Sequence, residues 1–266
     1  MKGMIKYMKV EVLVSTMNRE NCDFLYSMNL MTDVVVGNQN GTNSFEEFRT
    51  SFGNVRFICS DKKGLSNNRN LTLENSNADI CLLADDDIRY LDNYEKIIID
   101  EFKKHPTVDI IIFNLYESPV KRYVIKKKFI VRKLNYLRFG SVRIAFKRES
   151  ILRKNIHFDN NYGSGALIPM GEDNIFLHDC LKARLKILAV PIYLLSLTNE
   201  RESTWFSGYD DAYFLNKGAL YKRLYPYGWH FMCFQDVVRH RDLYGDSKQW
   251  YVNYKKMISK KYVIDK

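Results

Sequence analysis

Short apolar runs that end in polar residues recur along the first half of the chain. They are rich in β-branched residues and short enough to be buried strands rather than helices. We predict strands at 9–15, 33–37, 55–59, 80–84 and 109–113. Helical patterns at 65–75 and 93–104 lie between them, the second stopped by Pro106. This alternation predicts an α/β fold with a Rossmann-like, mostly parallel central sheet flanked by helices.

The second half of the chain has a looser pattern. Segments 123–131 and 142–148 alternate as strands do, 163–171 is a glycine-rich loop, and 172–183 is predicted to be a helix. Segment 186–197 predicts one or two strands broken by Pro191. From Ser203 onward the chain is aromatic-rich and helical in pattern. We therefore expect an α/β domain at 8–200 and a basic, aromatic-rich helical extension at 201–266 that packs on it.

Polar clusters follow the predicted strands at 15–19, 38–40, 60–63 and 85–87. In open parallel sheets, ligands bind beyond the carboxyl ends of the strands. The cluster Asp85, Asp86 and Asp87 is the strongest signal, because three adjacent carboxylates repel one another unless a cation or solvent compensates them. Such carboxylates, together with substrate phosphates, hold Mg²⁺ or Mn²⁺. The alternative is an acidic turn that caps the next helix.

Two further segments carry candidate chemistry. Gly64 precedes a helix whose first N–H groups suit an anion, and Arg69 lies one turn into that helix, where it could pair with a phosphate or simply face solvent. Glu172 and Asp173 follow Gly171 at the end of the glycine-rich loop. They are either helix-start acids stabilised by the helix dipole or a general base beside a bound acceptor.

A third segment combines hydroxyl groups with an aromatic ring. Ser203 and Trp205, in the run ESTWF, suit contact with a sugar or a diphosphate, or else begin the last helical region as a capping box would.

These motifs, in this order, resemble family 2 glycosyltransferases with the GT-A fold. The segments that carry the resemblance are LVSTMNR (13–19), GLSNNRN (64–70), ADDD (84–87) and GEDNIF (171–176). The similarity is closest to bacterial capsule and exopolysaccharide enzymes, in which ESTWFSGY (202–209) also fits. The resemblance implies an inverting, metal-dependent transfer from a nucleotide-sugar, with UDP favoured, to a glycan or lipid-linked oligosaccharide.

The resemblance also makes 8–200 the nucleotide-sugar-binding and catalytic domain, and it assigns roles to residues. Asp173 would be the catalytic base with Glu172 beside it, Asp87 would bind Mn²⁺ or Mg²⁺, and Ser203 and Trp205 would contact acceptor or diphosphate. The residues that would bind the nucleotide-sugar are Ser15, Thr16, Asn18, Asn38, Gln39, Gly64, Arg69, Asp85 and Asp86. Asn38 and Gln39 stand where the family often has an acidic residue that touches uridine.

Composition limits the alternatives. The five cysteines and five histidines are scattered without metal-ligand spacing, which favours buried, reduced thiols and a reducing compartment. The N-terminus lacks a signal-peptide core, because Glu11 interrupts its first apolar stretch, and no apolar run is long enough to span a membrane. The sequence could start at Met1 or Met8. We expect a cytoplasmic protein that makes a peripheral contact with the inner face of the plasma membrane.

The net charge of +10 arises from one segment, the basic segment 121–154, which has 13 Lys or Arg residues and one acid, whereas the rest of the chain is slightly acidic. An anionic membrane surface is one partner that this charge suits, and a solvated sheet face is the plain alternative. A nucleic-acid-binding protein would use the same segment, but it leaves the acidic clusters unexplained. A sugar nucleotidyltransferase is disfavoured because STMNRE, after the first strand, lacks glycine.

Overall fold

The structure is a computed structural model that describes residues 8–120, 122–198, 208–245 and 249–259. Its strands are β1 (Val10–Met17), β2 (Asp33–Gln39), β3 (Ser44–Arg49), β4 (Asn54–Ser60), β5 (Ile80–Asp85), β6 (Ile88–Tyr90), β7 (Ile110–Tyr116), β8 (Phe129–Ile130), β9 (Ile144–Lys147) and β10 (Ile187–Leu197). Its α-helices are α1 (Phe24–Ser27), α2 (Leu65–Glu74), α3 (Tyr94–Lys104), α4 (Arg148–Arg153), α5 (Glu172–Lys182), α6 (Asp211–Leu224), α7 (Trp229–Arg239) and α8 (Trp250–Met257).

One sheet joins these strands in the order β3-β4-β2-β1-β5-β9-β7-β10-β6, and β8 pairs with β10. Strands β4, β2, β1 and β5 are parallel neighbours, as are β7 and β10. The short strand β9 lies antiparallel between β5 and β7, so the long strands on both sides of it point the same way. The predicted α/β fold with a mostly parallel sheet is confirmed, and the carboxyl ends of six strands meet at one edge.

The two faces of β1 show how the sheet is covered, because successive side chains point to opposite sides. Val12 and Val14 face a core packed by α1 and α3, whereas Leu13 faces a second core packed by α2, α4 and α5. A strand that is buried on both faces needs helices on both sides, which is why β1 is mostly apolar and has Glu11 as its one buried charge. The strands that the sequence predicts in the first half all form, and each extends to the polar residues at its end.

The segment 123–131 departs from its prediction, because only Phe129–Ile130 forms a strand. The side-chain amide of Asn114 takes the place of a partner strand: its Nδ2 donates to the Ile125 carbonyl at 3.0 Å, and its Oδ1 accepts from the Ile125 N–H at 2.9 Å. The backbone of Ile125 is thus satisfied without extended pairing. The alternation in the sequence therefore predicted a strand that is longer than the one observed.

Two other differences concern the ends of the sheet. Strand β3, which the sequence did not predict, is exposed at all six positions and pairs only with β4, so it has no buried face to give it a periodic pattern. Strand β10 runs through Pro191 without a break, and its register with β7 shifts between Ala189 and Tyr193. A proline lacks the N–H that a regular ladder needs, so an irregular stretch accommodates it.

Helices α6, α7 and α8 pack on one another around a core that includes Phe214, Cys233 and Met257. Helix α6 also contacts the loop and helix that precede β10, through Leu220 and Leu224. Arg223 reinforces this contact with ion pairs to Asp159 and Asp179 at 3.0 and 2.8 Å.

Four of the five cysteines are buried, Cys22 is partly exposed, and all five are free. Across the described ranges, no helix has the length and apolar character needed to cross a membrane.

Candidate active site

The carboxyl edge of the sheet brings several of the predicted residues together. In the ladder, Ser15 on β1 pairs with Asp85 on β5, and Thr16 pairs with Asn38 on β2. Ser15 and Thr16 are both buried, and the Ser15 hydroxyl has no hydrogen-bond partner among the described residues. Parallel strands of similar length end together, so the polar residues that follow them form one site.

The three aspartates form a turn between β5 and β6. Asp86 points back to β1, where its Oδ2 accepts from the Thr16 hydroxyl at 2.6 Å and from Arg19 Nη2 at 2.7 Å. A strand, not a helix, follows the turn, so the alternative that these acids cap the next helix is wrong. Asp86 is bound by two side chains of the protein, and Asp85 is bound through Oδ1 to Arg69, which leaves Asp87 and the Oδ2 of Asp85 as the groups of this turn that could meet a ligand.

Asp87 is a carboxylate in a crowded, negative environment. Burial and the neighbouring charges of Asp85 and Asp86 raise its pKa to about 6, and the charge of Arg122 acts in the opposite direction. Its backbone carbonyl accepts from the Thr198 N–H at 2.8 Å and from the Thr198 hydroxyl at 2.9 Å, so the end of β10 fixes the turn. Like charges held this close favour a bound proton or cation.

Arg69 binds side chains of the protein, and its predicted contact with the nucleotide-sugar stays a prediction. It is fully buried, and its Nη1 donates to Glu172 Oε1 at 2.8 Å. Its Nη2 donates to Asp85 Oδ1 at 3.2 Å and to the Ser141 hydroxyl at 2.7 Å. A guanidinium presents several donors in a fixed plane, which suits it to hold two carboxylates apart at a set distance. Arg69 therefore positions acidic groups in this structure.

Glu172 and Asp173 are the first two residues of α5, after Gly171, whose φ of 86° lies in the left-handed region. Burial and the adjacent charge of Glu172 raise the pKa of Asp173 to about 7, although Arg69 and the Asn174 N–H favour its charged form. A carboxyl group with a pKa near neutrality can take up and release a proton under physiological conditions. Asp173 lies next to Gly140, where an added Cβ would be 3.6 Å from its Oδ2.

The remaining predicted nucleotide contacts lie at the end of β2 and in the loops after β1 and β4. Asn18 has a left-handed φ of 53°, and its N–H donates to the Gln39 carbonyl at 3.0 Å. Asn38 is fully buried and binds the backbone of Arg19 through both ends of its amide. Gln39 Oε1 accepts from the Gly64 N–H at 2.8 Å.

The start of α2 differs from its prediction. The sequence predicted free N–H groups after Gly64 that would bind an anion, but the Gly64 N–H donates to Gln39 and the Leu65 N–H donates to the Ser164 carbonyl at 2.8 Å. These two donors are therefore occupied by the protein itself.

Three residues of the site were not singled out from the sequence. Ser141 binds Arg69, Arg19 binds Asp86, and Arg122 acts on the charge of Asp87. Arg19 belongs to the LVSTMNR motif, so its place at a strand end was a usable signal. Ser141 and Arg122 belong to loops whose course the sequence pattern does not give.

Two predicted contacts, Ser203 and Trp205, lie outside the described residues. Within the described ranges, no three His, Cys, Asp or Glu side chains are grouped so that they could hold a metal ion by themselves.

The family model for glycosyl transferase family 2 matches residues 31–169 of the chain. The chain therefore belongs to the family 2 glycosyltransferases, and its fold is GT-A. It is an enzyme of the glycosyltransferase class, so the alternatives of a nucleic-acid-binding protein and a sugar nucleotidyltransferase are set aside.

Solved structures of the S. aureus protein TarS share this fold. Residues 1–349 of TarS match with a TM-score of 0.61 and 14% identity over 94% of this chain and 80% of that one. The same fragment in complex with UDP-GlcNAc matches with a TM-score of 0.62 and 14% identity over 95% of this chain and 82% of that one. The longer TarS chain matches with a TM-score of 0.61 and 13% identity, and half of its length is covered. No curated protein matches the sequence.

Proposed function

We propose that this enzyme transfers a sugar from a UDP-sugar to a glycan or lipid-linked oligosaccharide in the synthesis of a bacterial surface polysaccharide. The observation that carries the proposal is the link through Arg69, which holds Asp85 of the acidic turn and Glu172, the neighbour of Asp173, in one site. Family membership supplies the reaction class. The likeness in fold to TarS, a structure of which contains UDP-GlcNAc, supports the choice of donor.

The proposed donor site lies at the carboxyl ends of β1, β2 and β5. Ser15, Thr16, Asn18 and Gln39 form its nucleoside end, with Asn38, Gly64 and Asp86 as the residues that shape it. The buried Ser15 hydroxyl has no hydrogen-bond partner among the described residues, so it is available to bind a polar group of the donor. Ser203 and Trp205 stay predicted contacts of the acceptor or diphosphate.

Mn²⁺ or Mg²⁺ fits the acidic turn when the donor supplies further oxygen ligands. Asp87 and Asp85 would hold the cation, because oxygen ligands suit these metals and Asp86 is already bound to Thr16 and Arg19. The raised pKa of Asp87 indicates negative charge that a cation would neutralise. The bound cation would neutralise the charge that develops on the leaving diphosphate.

Asp173 is the proposed general base of an inverting reaction. The acceptor hydroxyl gives its proton to Asp173 while its oxygen forms a bond to the anomeric carbon. The bond from that carbon to the diphosphate oxygen breaks, and the electron pair leaves with the nucleoside diphosphate. Attack opposite the leaving group inverts the anomeric centre. Glu172, bound to Arg69, positions the helix start that carries Asp173.

The test measures binding and hydrolysis of a panel of sugar nucleotides with Mn²⁺ or Mg²⁺. We expect Asp87→Ala to lose metal-dependent donor binding, because it removes a ligand. Asp173→Asn should keep donor binding and lose turnover, because it removes the base but not the site. Asp242→Asn, an exposed acid on the connection after α7, is the control. Normal turnover in both site variants would show that these assignments are wrong.

We also propose a peripheral contact with an anionic membrane, where a lipid-linked acceptor would be found. Not every cation of the basic segment can face the membrane, because Arg143 is buried and donates to the Phe113 carbonyl at 2.7 Å. Helix α7 adds an apolar face, since Phe231, Phe234 and Val238 are exposed at helical spacing. Exposed aromatic residues with basic residues nearby suit a membrane interface.

The proposed domain organisation keeps the boundary near residue 200. Residues 8–200 form the catalytic unit, and 201–266 form the extension, of which α6, α7 and α8 are described. The contacts of Arg223 with Asp159 and Asp179 support packing of the extension on the catalytic unit.

A further inference from the structure

An open groove of about 570 Å³ lies beside β8, on the same side of the sheet as α5. Its volume is in the range of small-molecule sites. The residues that line it are Tyr123, Phe129, Ile130, Arg132, Asn135 and Arg138. None of them belongs to the proposed donor site.

The groove combines cations with ring faces. Arg132 and Arg138 are exposed, no acidic residue lines the groove, and neither guanidinium forms an ion pair with an acid in the part of the chain described. The Arg138 guanidinium lies over the Tyr123 ring, 4.6 Å from its centroid. Guanidinium groups bind carboxylate and phosphate oxygens, and aromatic faces pack against apolar faces of ligands. This combination suits a ligand that has both rings and negative charges.

The groove is preorganised by local hydrogen bonds. Asn135 Oδ1 accepts from the Arg132 N–H at 2.8 Å, and the Asn135 N–H donates to the Arg132 carbonyl at 3.0 Å, which closes the turn between them. Phe139 supports the floor, with its ring 6.0 Å from Tyr123 and 6.3 Å from Phe129. Fixed side chains lose little entropy when a ligand binds.

The groove also lies close to Asp173. Arg138 lines it, and Gly140, two residues further along the chain, is in contact range of the Asp173 carboxylate. The Cα atoms of Arg138 and Gly140 are at most about 7 Å apart, so the chain from 138 to 140 leads from the lining of the groove to Asp173. The Asn174 side chain donates to the Phe139 carbonyl at 3.4 Å, which connects the groove segment to the same helix start.

We propose that this groove binds the acceptor and that the acceptor is an anionic glycan, with its carboxylate or phosphate groups on Arg132 and Arg138. The acceptor role rests on the proposed function. The groove holds the chain so that its terminal hydroxyl lies at Asp173. The two cations distinguish such a glycan from a neutral one, and the aromatic floor packs against its sugar rings.

The test uses the full chain and calorimetric titrations without donor. The probes are a hyaluronan hexasaccharide with carboxylates, a phosphomannan oligosaccharide with phosphates, neutral cellohexaose and a single-stranded DNA decamer. We expect at least one anionic glycan to bind in a salt-dependent manner and more tightly than cellohexaose. The double variant Arg132→Gln/Arg138→Gln should bind it about tenfold or more weakly, and Arg153→Gln, an exposed arginine on α4, should bind normally.

Donor hydrolysis without acceptor separates this inference from the proposed function. The double variant should hydrolyse the donor as the wild type does, because its substitutions lie outside the donor site. Absence of hydrolysis in the wild type would overturn the proposed function. With hydrolysis intact, the inference is overturned if neither anionic glycan binds, if the double variant binds normally, or if the DNA decamer alone binds through the two arginines.

Discussion

Asp173 has a pKa near 7 because burial and Glu172 disfavour its charge. A general base acts in its deprotonated form, so we expect turnover to rise with pH and reach a plateau above about pH 7. The measurement is the pH dependence of kcat at saturating donor. Asp173→Asn should lose this ionisation together with most of the turnover, whereas Asp242→Asn should keep both. A profile that stays flat from pH 5 to about pH 8 would contradict the assignment.

The same pKa has a consequence for stability. The folded-state pKa of Asp173 is raised above its ordinary value of 3.8, so the unfolded state loses this proton first as pH rises. The contribution of Asp173 to the free energy of unfolding is therefore present at low pH and is lost between about pH 4 and pH 7. Asp173→Asn should consequently make the protein more stable than the wild type above pH 7.

Arg69 joins three parts of the chain, and the single ammonium group of a lysine could not reproduce its forked contacts. We expect Arg69→Lys to lower the free energy of unfolding by about 3 kcal/mol, because a buried carboxylate loses its partner. Turnover should fall at least about tenfold as Glu172 and Asp85 separate. Chemical denaturation and donor hydrolysis measure the two effects. Arg153→Lys is the matched control, and a site variant as stable and active as this control would refute the positioning role.

Helices α6 and α7 are joined by a buried polar cluster around Asp236. Tyr221 and Tyr244 donate to its carboxylate at 2.7 and 2.6 Å, and Lys217 lies 3.1 Å away. Burial by itself would raise the pKa of Asp236, but the hydrogen bond from His240, the charge of Lys217 and the tyrosine hydroxyls lower it below its ordinary value. The cluster thus binds the charged form of the acid within the C-terminal helices.

The pKa of Asp236 is lowered in the folded protein. Its contribution to the free energy of unfolding is therefore fully present above the pKa of the unfolded state, near 4, and is lost as the pH falls below that value. At pH 7, Asp236→Asn should lower the free energy of unfolding by about 3 kcal/mol, since Lys217 is left without its buried partner. Below pH 4 the difference from the wild type should shrink. Thermal unfolding at both pH values measures this, with Asp242→Asn as control. An equal difference at both pH values would argue against the charge as its cause.

The sequence predicts elements well where one physical rule decides them. Strands β1, β2, β4, β5 and β7 were predictable because each is buried on both faces and ends in polar residues. Strand β3 was not, because it is exposed throughout. The segment before β8 was misjudged since a side chain, Asn114, satisfies the backbone that a strand would otherwise pair.

The candidate site was predictable only in part, at the scale of the whole molecule. The succession of apolar runs and polar residues along the chain located Asp85 to Asp87 and Glu172–Asp173 as charged groups at the ends of predicted elements. It could not show that Arg69 is buried between them, because that depends on Ser141 and Glu172, which are 72 and 103 residues away in sequence. Such contacts follow from topology, which periodicity does not specify.

The proposed membrane contact is also a property of the whole surface. We expect the protein to sediment with vesicles that contain anionic lipid at low salt and to be released at high salt, because surface cations supply part of the attraction. Phe231→Ser/Phe234→Ser should weaken this binding, whereas Met31→Ser, at an exposed residue near the start of β2, should not. Absence of co-sedimentation at low salt would exclude the contact.

Gly171 and Leu220 bring the C-terminal helices into contact with the turn that precedes Asp173. A Cβ at position 171 would lie 2.6 Å from the methyl groups of Leu220, so α6 occupies the space beside the turn that begins α5. The two segments are complementary in shape although 49 residues separate them. Chimaeras that exchange only the last third of the chain between relatives would therefore misplace Asp173, the proposed base, unless the glycine turn is transplanted with its matching helix.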